Sequence, residues 1–236
     1  MFKGQHETID FHSLHLYLLH IIIMHMGDNV VVRRGEFDYF FLKRLQSILG
    51  IVPLSLFLFM HLVFNSFAFS GAGSFDRFVH WMHGLPFLWV LEVFFIAVPL
   101  LIHLLLGFVI IYRGSVNITS YPYYRNWMYL FQRITGVIAF IFVFYHIWTI
   151  RLHEHFAGKL VTYAGMQKYF EPMFIKIFYI VGILSVIFHV SNGIATACIT
   201  WGITVNKRSQ FVMSCFSWVM MLVLGVWSIF ILFIYS

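Results

Sequence analysis

The sequence predicts an all-α membrane protein: a bundle of five transmembrane helices, with the N-terminus cytoplasmic and the C-terminus outside. Three observations carry that reading. Of 236 residues, 61% are hydrophobic and only 10% charged, whereas a soluble domain carries about 25% charged side chains to coat its surface. The apolar residues gather into five runs, each long enough for the roughly 20 residues that a bilayer core requires. The basic residues are unequally divided between the loops that join those runs. Disorder is excluded by 29 Phe and 12 Tyr. A disulfide scaffold is excluded because Cys198 and Cys215 are the only cysteines.

The expected spans are 45–69, 86–112, 127–150, 173–201 and 211–235, and they contain three charged residues, Glu92, Arg133 and Lys176. Continuous apolarity at these lengths argues for helices; strands of a barrel would alternate. Five spans place the termini on opposite sides. With the N-terminus inside, the inner face holds ten of the 15 basic residues and the outer face Arg77, Arg151, Lys159, Lys168 and Lys176. The net charge of +6 is therefore a topology signal, not a sign of nucleic-acid binding. Residues 37–236 form the expected domain and 1–36 an N-terminal extension. Its apolar stretch 11–26 contains four histidines and is short for a span. It reads either as a helix lying in the interface or as an over-called start, with translation beginning at Met24 or Met26.

Four of 13 histidines lie inside spans: His61, His103, His146 and His189. A single intramembrane histidine is as readily explained by a hydrogen bond to a neighbouring helix. One on each of four helices is harder to explain that way, and their depths agree. At about 1.5 Å of rise per residue, His61 and His146 stand roughly 24 and 28 Å above the inner face. His103 and His189 stand roughly 25 and 24 Å below the outer face. Two pairs at two depths suit two six-coordinate haems. Zinc prefers four N/S ligands at one site, non-haem iron adds a carboxylate, and no Cys-x-x-Cys-His attachment sequence occurs. Gly50 and Gly136, 11 and 10 residues before His61 and His146, would let a macrocycle edge pass the backbone; ordinary small-residue packing explains them equally well.

Haem propionates would seek Arg44, Ser47, Arg125 or Arg133 at the inner face and His80, Arg151 or His153 at the outer. Glu92, about two turns inside the outer face, is a candidate for proton handling at a quinone, or a protonated side chain bonded to a neighbouring helix. His80, Trp81 and His83 could line the same pocket. No phosphate-binding, nucleophile-elbow or Rossmann signature occurs.

The strings FFLKRLQSILGIVPLSLFLFMHLVFNSF, LPFLWVLEVFFIAVPLLIHLLLG, YPYYRNWMYLFQRITG, FVFYHIW, YIVGILSVIFHVSNG and TWGIT resemble one family from about Phe37 onward. It is the di-haem cytochrome b anchor subunit of succinate:menaquinone oxidoreductase of Bacillus-type bacteria, a multi-pass protein of the bacterial cytoplasmic membrane. The resemblance implies two non-covalent haem b groups, with His103 and His189 as axial ligands of the inner and His61 and His146 of the outer. It implies a flavoprotein subunit with FAD and an iron–sulfur subunit docked on the cytoplasmic face, where succinate is oxidised. Electrons would leave through the two haems to menaquinone near the outer one. The same architecture serves quinol:fumarate reductases. Other readings are the haem anchor of a hydrogenase or formate dehydrogenase, or a haem-free scaffold.

Overall fold

The computed structural model describes residues 39–235, all helices and connections. The extension expected over 1–36 lies outside the described residues. The chain divides into two units, Met1–Lys43 and Arg44–Ser236. In the first, the Lys43 ammonium stands 4.4 Å from the Tyr39 ring centroid. The second contains the bundle.

Among the described residues five helices are long and apolar enough to span a bilayer: α1 (Tyr39–Ser70), α3 (Leu88–Arg113), α4 (Tyr124–Leu152), α6 (Met173–Thr200) and α7 (Lys207–Ile234). Two shorter ones, α2 (Ala72–His83) and α5 (Tyr163–Phe170), lie in the connections. All five expected spans are present, but α1 begins six residues before the apolar run and α7 four residues before it. Hydropathy marks the hydrocarbon core, whereas helices continue until their end groups are satisfied. At α7 that is done by Asn206, whose side chain accepts from Ser209 N at 2.8 Å in a reciprocal capping box.

The segments holding α2 and α5, which lie between the expected spans, are amphipathic helices. Phe75 and Val79 on α2, and Met166 and Phe170 on α5, are spaced four apart and buried, so each helix turns one stripe inward. Asp76 of α2 accepts from the Tyr163 backbone N–H at 2.8 Å, a carboxylate at the start of α5. Together they cap one end of the bundle, where Phe170, Tyr179 and Tyr235 pack as a ring cluster.

Packing between spans uses small residues. The Phe142 ring of α4 lies against Gly182 of α6, and Ser185, Ser191, Ala195 and Ala197 of α6 are also buried. That is the means by which helix backbones approach closely in lipid, where apolar side chains gain nothing by leaving the tails. Conversely α3 buries only Pro99 and exposes Phe94, Phe95 and Leu105, a surface suited to lipid.

Three spans contain a wide (π) turn: Gly50–Ser55, Glu92–Ala97 and Ile147–Leu152. The first holds Pro53, which has no N–H to give its ladder and would clash in a regular turn. The Ser55 hydroxyl donates to the Gly50 carbonyl at 2.8 Å, supplying a bond that the backbone cannot. The second precedes Pro99 and has the same cause.

Candidate haem and quinone sites

The four intramembrane histidines meet in two pairs. His103 (α3) and His189 (α6) have ring centroids 6.2 Å apart with planes at 87°. His61 (α1) and His146 (α4) have centroids 5.8 Å apart at 89°. Gly50 lies against His103, and eleven residues separate it from His61, so the pairs stand about 16 Å apart along α1. His61 and His146 are nearer the capped end.

His103 and His189 are each built into a neighbouring span by the same device. His103 Nδ1 lies 2.8 Å from the Gln46 carbonyl and His189 Nδ1 3.0 Å from the Gln132 carbonyl. An imidazole that donates from Nδ1 is held in one tautomer and one orientation, with Nε2 left free for a metal. Both rings rest on a glycine: a Cβ on Gly50 would stand 2.8 Å from His103 Cε1, and one on Gly136 2.9 Å from His189 Cε1. At both glycines the space a side chain would take is occupied by an imidazole of a neighbouring span. Gln132 also donates to the His189 carbonyl at 3.0 Å and accepts from Asn192 at 2.7 Å.

These residues repeat along the chain. Gln46 and Gln132, Gly50 and Gly136, His103 and His189, and Gly107 and Gly193 are each 86 positions apart, and the second Gly of each half stands beside the side chain of the glutamine. The α1–α3 hairpin and the α4–α6 hairpin therefore build the same cradle twice. His61 and His146 are 85 apart; the odd residue falls in α1 between Gly50 and His61, where the wide turn at Pro53 takes it up. Sequence reasoning missed Gln46 and Gln132, and this repeat was the signal that could have found them.

The pair near the capped end is held differently. His146 Nδ1 is 3.2 Å from the Tyr179 hydroxyl, and its ring stacks on Phe142. His61 has its Nε2 3.3 Å from Asn65 Nδ2, which also donates to the His61 carbonyl at 2.8 Å.

Two imidazoles holding one metal between them, at bonds of about 2.0 Å with about 1.2 Å from nitrogen to ring centroid, would have centroids up to about 6.4 Å apart. The His103–His189 pair meets this spacing as it stands. The His61–His146 pair would open by about 0.6 Å on that measure, and Asn65 would give up Nε2 while keeping its carbonyl bond. No three His, Cys, Asp or Glu side chains converge among the described residues. Each level thus offers two nitrogen ligands, the number that a planar four-coordinating macrocycle leaves vacant.

The other expected site residues are placed as follows. Arg133 donates to the Gly114 carbonyl at 3.1 Å and Ile110 carbonyl at 3.4 Å, covering the C-terminal end of α3, with its guanidinium against Tyr129. Ser47 accepts from Trp201 Nε1 at 2.9 Å, and Arg44 lies over the Trp201 ring, 5.0 Å from its centroid. Glu92 is bound in bidentate fashion by Arg151, Nε to Oε1 at 3.0 Å and Nη2 to Oε2 at 2.7 Å. Each side chain is about one-third exposed in the isolated chain.

A cavity of about 570 Å³ opens at the capped end, lined by His80, Lys159, Thr149 and Tyr169 among apolar neighbours. Its size is that of a small-ligand site. Of the outer-face residues singled out from the sequence, His80 lines this cavity; Trp81 is exposed, His83 turns back to the Val79 carbonyl, and Glu92 is not on the wall.

Residues 115–233 match the succinate dehydrogenase/fumarate reductase transmembrane subunit family. A succinate dehydrogenase cytochrome b558 subunit of Bacillus subtilis is 43% identical over 171 residues, which span 72% of this chain and 84% of that protein. The chain belongs to this family. As a succinate dehydrogenase/fumarate reductase transmembrane subunit it is a multi-pass membrane protein.

Proposed function

We propose that this chain is the cytochrome b anchor of a succinate:menaquinone oxidoreductase, carrying electrons from an iron–sulfur subunit through two b haems to menaquinone. The observation that carries the reading is the two crossed imidazole couples, contributed by four helices, with ring centroids 5.8 and 6.2 Å apart. His103 and His189 would hold the inner haem and His61 and His146 the outer. The haems would supply one-electron carriers at two depths of the bilayer. The protein holds the ligand rings in place: Gln46 and Gln132 carbonyls fix the inner imidazoles, and Gly50 and Gly136 admit them.

In this reading the N-terminus is cytoplasmic and the capped end outside, in agreement with the basic-residue count. The flavoprotein and the iron–sulfur subunit dock on the opposite, cytoplasmic end, where succinate is oxidised. Arg44, Ser47 and Arg133 are placed near that end for the inner propionates, with Arg133 exchanging its carbonyl partners to reach one. Menaquinone occupies the cavity at the capped end, and Glu92, fixed by Arg151, handles protons nearby. The similarity to a succinate dehydrogenase cytochrome b558 subunit of Bacillus subtilis supports this assignment.

The test is haem b per polypeptide, by pyridine haemochrome on the purified complex with a reductive titration alongside. Two haems at separate potentials are expected. One haem would make one imidazole pair structural, and none in folded protein would overturn the redox reading.

A further inference from the structure

The two imidazole pairs differ in what receives the Nδ1 proton. For His103 and His189 it is a main-chain carbonyl, a terminal acceptor that has no hydrogen to pass on. For His146 it is the Tyr179 hydroxyl, at 3.2 Å, and a hydroxyl that accepts one bond has its own hydrogen to donate. Tyr179 is 3% exposed, and its hydroxyl donates to Tyr169 Oη at 3.3 Å. Tyr169 Oη in turn lies 3.1 Å from Thr149 Oγ1, which donates to the Tyr145 carbonyl at 2.9 Å.

With Nε2 of His146 on a metal, Nδ1 must carry the proton, and the direction of every bond is then set. His146 donates to Tyr179, Tyr179 to Tyr169, Tyr169 to Thr149, and Thr149 to a backbone carbonyl. Tyr169 and Thr149 are also on the wall of the 570 Å³ cavity. Tyr169, which bonds both Thr149 and the Tyr145 hydroxyl, is therefore the link through which a ligand in the cavity can enter the chain as a further acceptor. A carbonyl oxygen accepting from Tyr169 would polarise the bonds behind it, because hydrogen bonds in a chain of low dielectric strengthen one another. The signal reaches the metal as a change in the basicity of the imidazole, the property that partners behind the ligand ordinarily tune.

We propose that Tyr179 is a positioning residue for His146, and that the chain Tyr169–Tyr179–His146 couples occupation of the capped-end cavity by a quinone carbonyl to the electronic state of the outer haem. This rests on the reading of His146 as a haem ligand. It gives the outer site a sensitivity to its substrate that the inner site, ended on fixed carbonyls, does not have.

The experiment uses the intact complex. Midpoints of both haems and the outer-haem spectrum are recorded with and without 2,3-dimethyl-1,4-naphthoquinone, a naphthoquinone lacking the prenyl tail. In the unaltered complex the quinone shifts the outer-haem spectrum and leaves the inner one unchanged. Tyr179→Phe retains both haems, raises the outer midpoint because Nδ1 loses its acceptor, and abolishes the quinone-induced shift. Tyr169→Phe leaves the His146–Tyr179 contact in place and abolishes the shift alone. A Tyr179→Phe complex with both haems, an unchanged outer midpoint and a normal quinone response would overturn the proposal. So would a normal response in Tyr169→Phe, which decides the matter even where Tyr179→Phe fails to assemble. Absence of haem from the unaltered complex would instead remove the reading on which the proposal stands.

Discussion

Gly136→Ala tests the cradle directly, because two physical effects of opposite sign act at that residue. In the interior of a regular helix, alanine is favoured over glycine by about 1 kcal/mol, so a glycine that merely eased helix packing would be improved by the change. Here the new Cβ would stand 2.9 Å from His189 Cε1 and 3.2 Å from its Nδ1. The ring would have to withdraw by about 0.6 Å to reach an ordinary carbon–carbon contact of about 3.5 Å. Its Nδ1 is bonded at 3.0 Å to the Gln132 carbonyl, one turn back on the same helix. Withdrawal therefore stretches that bond toward about 3.6 Å, where it no longer counts as one. Overpacking costs about 1–3 kcal/mol and the lost hydrogen bond about 1 kcal/mol. Against the gain in propensity, the net loss is about 1–3 kcal/mol.

The assay is retention of the inner haem in the purified complex as temperature is raised, with its reduced spectrum recorded beforehand. The matched control is Gly225→Ala on α7, where the new Cβ would meet Leu184 at 3.6 Å, an ordinary contact, so no loss is expected. Gly136→Ala should lose the inner haem at lower temperature and show an altered inner spectrum, with the outer haem unaffected. An inner spectrum and thermal retention equal to the unaltered complex would refute the argument that the glycine exists to admit the imidazole.

Two further outcomes follow from the same geometry. His189→Ala or His103→Ala should remove the inner haem selectively, read as loss of one of two titrating components; retention of both would refute the pairing. Glu92→Gln should slow quinone reduction severalfold at unchanged haem content, and Arg151→Gln should do so to a similar extent because the two side chains hold each other. Unchanged turnover in the Glu92 variant would end its role in proton handling.

The sequence by itself determined the five spans and the two levels of histidine. Both depend on one-dimensional quantities, the length of an apolar run and the number of residues from its end, which a helix converts to height at a constant rise. Span ends were legible only to within a few residues, because hydropathy reports the hydrocarbon core and not the cap that ends a helix, as at Asn206. The helices α2 and α5 were legible in principle from Phe75–Val79 and Met166–Phe170, but four-residue spacing in a short polar segment is easily taken for a loop. The doubled Gln-x-x-x-Gly cradle was present too, at a constant offset of 86 residues, with only His61 and His146 displaced from it by one.

Only the tertiary structure decided what faces what. That Gly50 and Gly136 receive an imidazole, that Arg151 holds Glu92, and that Arg133 covers the end of α3 all depend on the rotation and offset of one helix against another. Those are set by packing among side chains distant in the chain. The Tyr169–Tyr179–His146 chain is the clearest case. Its members lie on α5, α6 and α4, each is unremarkable in its own segment, and they meet only because small residues on α6 let α4 come close.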